Sequence, residues 1–296
     1  MEILRRGMLL AGTASGLVSS PAAKATKAAL ASASRLIHQQ ASMFGPIVVT
    51  EEPGGLRTLR FGLDGPRQSV VKLNDPRYLE LRYTQAAILA LAFVPSPQRI
   101  LMIGLGGGSL PMFFRSYYPQ ALIDAAEIDP AIIEVAKRFL NFREDERMRA
   151  YARDGRNFIE GAKLSYDIIM LDAFSAEAVP KHLSTTEFLQ AVKKVLAVNG
   201  VVVANLWGPA LNPLYDSMLR TFQDVFSDLY LLEVPEVENR LMFALPRRID
   251  LRMATFREHA HNTSLVLGLP FDLALMIGTG FYRIDKPITK GRVLRD

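Results

Sequence analysis

Apolar residues follow two different patterns along the chain, one before about residue 95 and one after it. Between residues 45 and 85, short runs rich in β-forming residues alternate with turn sequences such as EPGG and DGP. Turn residues between such runs indicate β-hairpins, with strands at residues 46–50, 56–61 and 68–73. A helix is predicted over residues 78–93, and the PSP sequence after it marks a boundary, because proline disfavours helix in the residue before it.

From residue 99 onward, predicted strands and helices alternate. Residues 100–103 form a short apolar run that ends at glycines, as in a parallel strand buried on both faces. Similar runs occur at residues 121–128, 166–171 and 201–206. Helical spacing occurs at residues 132–140 and 188–196, and Asn199-Gly200 predicts where the second helix stops. This alternation predicts an α/β fold, a Rossmann-like doubly wound sheet preceded by a small β-hairpin-rich unit.

The same patterns predict the domain organisation. We expect an N-terminal arm or signal-like segment at residues 1–40 and a small β-rich unit with a helix at 41–95. A Rossmann-like domain follows at 96–250, and a C-terminal appendage of weak helical pattern at 251–296. A length of 296 residues allows one large domain or two modest ones.

Composition narrows the classes of function. Apolar residues make up 49% and charged residues 22%, which excludes a disordered or fibrous chain. The net charge is +5 without a dense basic block, so nucleic-acid binding has no support. The absence of cysteine excludes disulfides, thiolate metal sites and a cysteine nucleophile. Among the four histidines only His259 and His261 are close, at a spacing that does not match a helical i, i+4 pair, so we predict no metal site.

Residues suited to ligand binding follow the first two predicted strands. The first strand leads into a glycine-rich loop that contains Gly104, Gly106, Gly107 and Gly108. Glycines let the backbone approach a ligand closely, with helix N–H groups facing it. Glu127 ends the second strand, where an acid can accept hydrogen bonds from both hydroxyls of a ribose. Asp129, which precedes Pro130, is expected to cap the next helix.

Two more acids follow later strands. Asp154 and Gly155 come after a third strand, where a short acid can accept from an exocyclic amine such as that of adenine. Asp172 ends the strand at residues 166–171, at the edge of the sheet where ligands of open α/β folds bind. A carboxylate there can take a proton from a nucleophile or hold a cation. Each acid alone is more often solvated than functional, but together they predict a nucleoside site.

This series of motifs resembles the polyamine aminopropyltransferases, the spermidine synthase-like family within the class I S-adenosylmethionine-dependent methyltransferase fold. The resemblance covers about residues 45–245, including the sequences LDGPRQ and NDPRYLE. It implies that Gln68 contacts the nucleoside and that Tyr78 lies in the polyamine pocket. It also implies that Glu127 holds the ribose, Asp154 the adenine, and Asp172 acts as the general base on an attacking amine.

Two departures from the family pattern concern cationic groups. The family's loop carries an aspartate that grips the aminopropyl ammonium, whereas Gly106, Gly107 and Gly108 offer no side chain. Ser175 stands where the family has a second aspartate for the polyamine, although Glu177 can substitute from the loop. Each lost contact is worth roughly 1.5–3 kcal/mol as a charge-assisted hydrogen bond. The specificity of the site for the decarboxylated donor and for a polyamine is therefore expected to be lower than in the family.

The sequence thus predicts a transferase of polyamine biosynthesis. It would move an aminopropyl or related alkyl group from S-adenosylmethionine, or its decarboxylated form, to a small-molecule amine. The alternatives are an S-adenosylmethionine-dependent methyltransferase and a catalytically lapsed nucleoside-binding homologue. The resemblance implies a homodimer, and we expect neither a nucleic-acid partner nor a membrane span.

The first 25 residues permit two interpretations. Arg5-Arg6, an apolar stretch and small residues after Pro21 resemble a secretory signal of the twin-arginine kind, which would mean export. The apolar part is too short to span a bilayer. A helical arm on a cytoplasmic protein is the favoured alternative, because the donor molecule is made in the cytosol.

Overall fold

The computed structural model describes residues 34–173, 180–278 and 280–296, which contain two sheets. The small sheet is antiparallel, with four strands in chain order: β1 (Arg35–Gln40), β2 (Ile47–Glu52), β3 (Leu56–Phe61) and β4 (Arg67–Lys72). The last three are the predicted hairpin strands. The pattern did not reveal β1, because its side chains are exposed or half-buried and show no apolar alternation. The signal-like residues 1–25 lie outside the described residues.

The large sheet has eight strands. In chain order they are β5 (Arg99–Ile103), β6 (Leu122–Glu127), β7 (Met148–Ala152), β8 (Tyr166–Leu171), β9 (Leu196–Trp207), β10 (Asp228–Glu233), β11 (Asn239–Leu245) and β12 (Phe281–Arg283). Their order across the sheet is β12-β10-β11-β9-β8-β5-β6-β7. Strands β5 to β9 run parallel, whereas β10, β11 and β12 pair antiparallel. The predicted α/β class is confirmed.

Alternating side chains bury both faces of this sheet. On β5, Ile100 and Met102 belong to one apolar cluster, and Leu101 and Ile103 to another. The helices of the described residues are α1 (Arg82–Ala87), α2 (Ala90–Phe93), α3 (Ser109–Tyr117), α4 (Pro130–Phe139), α5 (Gly155–Gly161), α6 (Thr186–Val195), α7 (Tyr215–Val225), α8 (Met253–Leu267) and α9 (Leu273–Gly278). Within the described ranges, none of them is long and apolar enough to cross a bilayer.

A third apolar cluster joins the small sheet to helix α4, which follows β6 of the large sheet. Ile47, Val49 and Leu59 of the small sheet pack with Ile132 and Val135 of α4. Helix α4 begins as predicted: Asp129 is its N-cap, and Oδ1 accepts a hydrogen bond from the Ala131 N–H at 2.9 Å. The small sheet is thereby held beside the carboxyl ends of β5 and β6.

Two local predictions were wrong. The helix expected over residues 78–93 is divided into α1 and α2, because the N–H groups of Ile88 and Leu89 bond three residues back rather than four. Asn199-Gly200 does not end a helix, since α6 already ends at Val195. These two residues lie instead in an irregularity of β9, where its register against β8 shifts.

The segment at residues 251–296 contributes an edge strand to the large sheet. Strand β12 pairs with β10, and Arg283 Nε donates to Asp228 Oδ1 at 2.7 Å. Asp228 is only 4% exposed, and its other oxygen accepts from the Tyr230 hydroxyl and the Ile249 N–H. The ion pair therefore ties the end of the chain to the sheet around a buried charge.

Replacing Arg283→Met is expected to lower the free energy of unfolding by about 2–3 kcal/mol, because it leaves the Asp228 carboxylate buried and unpaired. Urea denaturation measures this change. The double variant Asp228→Asn/Arg283→Met should lose less unfolding free energy than Arg283→Met alone, because no buried charge is left without its partner. Arg252→Met, which removes an exposed ion pair to Asp250 at 4.0 Å, serves as the control. Equal losses for Arg283→Met and Arg252→Met would contradict the assignment.

Candidate active site

A cavity of about 830 Å³ lies at the carboxyl ends of the parallel strands. Its size is that of a pocket for a nucleoside-sized ligand. Seven of the residues predicted from the sequence line it: Gln68, Gly104, Gly106, Glu127, Asp154, Gly155 and Asp172. The ends of four neighbouring strands thus contribute to one cavity, and the small sheet closes one side of it through Phe61, Gln68 and Ser69.

Gly104 is required where β5 turns away from the sheet. Its φ is +98°, and a Cβ atom there would lie 2.4 Å from the Asp172 carbonyl oxygen. Only glycine lets the loop pass this close to the end of β8. Gly106 follows at the cavity wall.

Gly107 and Gly108 serve packing. A Cβ on Gly107 would lie 2.7 Å from the Ser69 hydroxyl, and one on Gly108 would lie 2.6 Å from the Phe142 ring. The cavity wall in the described residues includes neither glycine. Both glycines therefore fit closely against protein atoms, which holds the loop in place, and their contact with a cofactor stays a prediction.

Glu127 is fixed by backbone N–H groups. Leu105 N–H donates to its Oε2 at 3.0 Å, and Asp129 N–H donates to its Oε1 at 3.1 Å. Burial raises the pKa of Glu127, and these N–H donors oppose the rise by stabilising the carboxylate. The Gly106 N–H is a further backbone donor that lowers the pKa of Glu127. A carboxylate can accept about four hydrogen bonds, so acceptor capacity remains for a ligand.

Asp154 combines helix capping with a contact to a histidine. Its Oδ1 accepts from the Asn157 N–H at 3.0 Å at the start of α5, and its Oδ2 lies 2.8 Å from His182 Nε2. Burial raises the pKa of Asp154, but hydrogen bonds from Asn157 and His182 outweigh it and the net shift is downward. The side chain is therefore a stable anion at neutral pH.

Asp172 is the centre of a partly buried polar network. The Tyr83 hydroxyl donates to Oδ2 at 3.2 Å, and Asn205 Nδ2 donates to Oδ1 at 2.8 Å. Burial raises the pKa of Asp172 to about 6, even though these two donors lower it. A partly buried carboxylate whose pKa lies close to neutrality has the properties of a general base.

Tyr83, and not the predicted Tyr78, is the tyrosine that contacts Asp172. The Tyr78 hydroxyl instead donates to Glu80, and this hydrogen bond raises its pKa to about 12. Tyr78 is not part of the described cavity wall, whereas Tyr83 is. The other predicted substrate contact, Ser175, and the substitute Glu177 lie outside the described residues.

The sequence interpretation also missed other polar residues of the wall, among them His182, Asn205 and Asn239. Asn205 lies near the carboxyl end of β9, so the rule that selected the acids would have found it one strand further along. His182 and Asn239 carry no such signal, because the first lies within a short 3₁₀ helix (Lys181–Leu183) and the second begins an antiparallel strand. No group of three or more side chains suited to a metal is present among the described residues.

Comparison with known proteins decides the family. Residues 82–246 match the spermine/spermidine synthase domain. The polyamine aminopropyltransferase of Vibrio vulnificus is 37% identical over 219 residues, which are 72% of this chain and 72% of that protein. The chain belongs to the spermine/spermidine synthase family. It is accordingly an enzyme of the transferase type.

Solved structures agree with the fold of this spermine/spermidine synthase family member. A probable spermidine synthase from Corynebacterium glutamicum superimposes with a TM-score of 0.70 over 88% of this chain and 96% of its own, and at 19% identity it supports the fold alone. Human methyltransferase-like protein 13, solved in complex with SAH, is 31% identical, with a TM-score of 0.59 over 65% of this chain and 95% of its own.

Glu127→Gln is expected to weaken binding of 5′-methylthioadenosine about 10- to 100-fold, because a neutral amide accepts weaker hydrogen bonds from ribose hydroxyls than a carboxylate. Equilibrium dialysis with labelled nucleoside measures the change. Glu134→Gln, at an exposed position of α4 paired with Arg138, is the control and should bind as the wild type does. Equal affinity of both variants would remove Glu127 from the ribose contact.

Proposed function

We propose that the chain transfers an aminopropyl group from decarboxylated S-adenosylmethionine to a small amine, with Asp172 as the general base. The observation that carries this proposal is the half-buried Asp172 carboxylate, held by Tyr83 and Asn205 on the cavity that Glu127 and Asp154 also line. The resemblance to the Vibrio vulnificus aminopropyltransferase supports it.

The donors and acceptors of the cavity suit an adenosyl sulfonium. Glu127 has acceptor positions left for ribose hydroxyls, and Asp154 for the amine of adenine. Asp129 is 3% exposed, and its Oδ2 has no partner among the described atoms, so the wall has a further buried acceptor. The described wall carries more carboxylates than guanidinium groups. The carboxylates are those of Glu80, Glu127, Asp129, Asp154 and Asp172, and the guanidinium groups are those of Arg67 and Arg82. This excess of negative charge favours a cationic donor and a cationic amine.

Asp172 would accept the proton of the attacking amine. The nitrogen lone pair then forms a bond to the donor carbon next to sulfur, while the carbon–sulfur bond breaks and its electron pair stays on sulfur. Methylthioadenosine leaves as a neutral thioether. The chain's contribution is largely alignment of nitrogen, carbon and sulfur, together with removal of the proton.

Tyr83 supports the base as a neutral hydrogen-bond donor. Burial, together with the nearby Asp172 carboxylate, raises the pKa of the Tyr83 hydroxyl well above its usual value. The hydroxyl therefore keeps its proton at neutral pH and directs it at Oδ2. It orients the carboxylate without competing for the role of base.

Methyl transfer is the second candidate. The loop residues Gly106, Gly107 and Gly108 carry no side chain to grip an aminopropyl ammonium, and a relative at 31% identity was solved with SAH. Both reactions would use the same nucleoside contacts and the same base. The released thioether distinguishes them, since aminopropyl transfer yields methylthioadenosine and methyl transfer yields S-adenosylhomocysteine.

A cytoplasmic location is part of the proposal, because the donor is made in the cytosol. The homodimer implied by the family resemblance stays a prediction, and size-exclusion chromatography with light scattering measures it.

Asp172→Asn is expected to lower kcat at least about 100-fold, because it removes the base, while methylthioadenosine affinity changes only a few-fold. The measurement is methylthioadenosine release from decarboxylated S-adenosylmethionine with a panel of amines. Asp167→Asn provides a control on the same strand, and its rate should stay close to that of the wild type. Asp167 lies at the opposite end of β8, where it accepts hydrogen bonds from the backbone N–H groups of Gln98 and Arg99. An unchanged rate for Asp172→Asn would exclude Asp172 as the base.

The dependence of kcat/KM on pH should report the ionisation of Asp172. Since the base must be ionised and its pKa is about 6, kcat/KM is expected to rise with pH up to about 6 and then level off. Tyr83→Phe removes a donor to the carboxylate, so the rise should move to higher pH by roughly one unit. Tyr78→Phe should leave the profile in place. A shift in Tyr78→Phe and none in Tyr83→Phe would reverse the assignment of the two tyrosines.

A further inference from the structure

We propose that Asn239 is a positioning residue, which acts through Asn205 to hold Asp172 in the orientation and protonation state of a base. This inference rests on the role of Asp172 in the proposed function. Asn239 lies at the start of β11, one strand beyond Asn205 and two beyond Asp172 in the sheet.

The three side chains form a directed chain of hydrogen bonds. Asn239 Nδ2 donates to Asn205 Oδ1 at 2.9 Å, and Asn205 Nδ2 donates to Asp172 Oδ1 at 2.8 Å. Asn205 is only 7% exposed, and all three residues line the cavity. The antiparallel register of β9 and β11, which places Asn239 opposite Trp207, brings the two amides together.

The direction of the first hydrogen bond determines what Asp172 meets. An asparagine amide has a donor end and an acceptor end of nearly the same shape, so Asn205 could present either one. Donation from Asn239 engages the acceptor end and leaves the amino group for Asp172. In the opposite orientation a carbonyl oxygen would face the carboxylate, which disfavours the anion and raises the pKa of Asp172.

A test of this proposal must separate the effect of Asn239 on Asp172 from the effects of other ionisable groups nearby. Tyr83 on α1 is the titratable side chain that hydrogen-bonds Asp172. The remaining titratable or charged side chains on the described cavity wall are Arg67, Glu80, Arg82, Glu127, Asp129, Asp154 and His182. Arg240 follows Asn239 and donates to its carbonyl oxygen. Any charge introduced at position 239 therefore needs a control for its direct electrostatic effect.

Asn239→Asp gives the sharpest test, because it replaces the donor by an acceptor of equal size. Asn205 should turn its amino group toward the new carboxylate and its carbonyl toward Asp172. We expect the pKa of Asp172 to rise by about one unit or more, and the pH profile of kcat/KM to move with it. Asn239→Leu, which adds no charge, should give a smaller shift in the same direction.

Transmission through Asn205 is tested by a double-mutant cycle. In an Asn205→Ala background, Asn239→Asp should move the pKa of Asp172 by clearly less than it does with Asn205 present. Val237→Asp, which places a carboxylate on the same wall outside the chain of amides, measures the direct charge effect. Equal shifts from Asn239→Asp with and without Asn205, or no shift from Asn239→Asp and Asn239→Leu, would overturn the proposal.

The readout does not depend on turnover. The carboxyl carbon of Asp172, labelled with ¹³C and assigned with Asp172→Asn, reports its pKa by NMR in each variant, and thermal unfolding confirms that the variants fold. If Asn239→Asp moves this pKa while Asp172→Asn retains full activity, the coupling of Asn239 to Asp172 through Asn205 stands and the proposed role of Asp172 as the base fails. If Asp172→Asn abolishes turnover but the pKa does not respond to position 239, only the positioning role fails.

Discussion

The close passage of one backbone segment over another sets the geometry of the site. Where β5 ends, Gly104 passes the Asp172 carbonyl so closely that no side chain fits between them. The Asp172 N–H donates to the Ile103 carbonyl at 2.9 Å, and the Gly104 N–H donates to the Ala126 carbonyl at 2.9 Å. The ends of β6, β5 and β8 are thereby joined, and Glu127 and Asp172 stand on either side of one loop.

The close approach of Gly104 to Asp172 produces a cavity in which chemically similar carboxylates have different environments. Burial raises the pKa of Glu127 and of Asp172, whereas at Asp154 the hydrogen bonds together outweigh burial and lower its pKa. Groups whose environments separate their pKa values can take separate roles in one reaction. Asp154 is suited to a permanent acceptor, and Asp172 to a group that gains and loses a proton near neutral pH.

Much of this arrangement could be predicted from the sequence, because it depends on local pattern. Buried parallel strands produce continuous apolar runs, and the residues that follow them meet at one edge of the sheet. Glu127, Asp154 and Asp172 were found in this way. Gly107 and Gly108 belong to the same loop, yet their close fit against Ser69 and Phe142 is visible only in the structure.

The remaining parts depend on side-chain direction and on contacts distant in sequence. Tyr78 and Tyr83 are five positions apart, and nothing in their spacing shows which one reaches Asp172. Asn239 meets Asn205 only because β11 pairs antiparallel with β9. Strand β12 is three residues long, too short for a periodic pattern, and its place in the sheet follows from pairing with β10.

Calorimetric titration of the wild-type chain with 5′-methylthioadenosine tests most directly whether the four strand ends form an adenosyl site. We expect one nucleoside per chain, bound with micromolar affinity or better, and competitive displacement by decarboxylated S-adenosylmethionine. Absence of binding heat for both compounds would contradict an adenosyl site in this cavity. Nucleoside binding that the second compound does not displace would contradict decarboxylated S-adenosylmethionine as the donor.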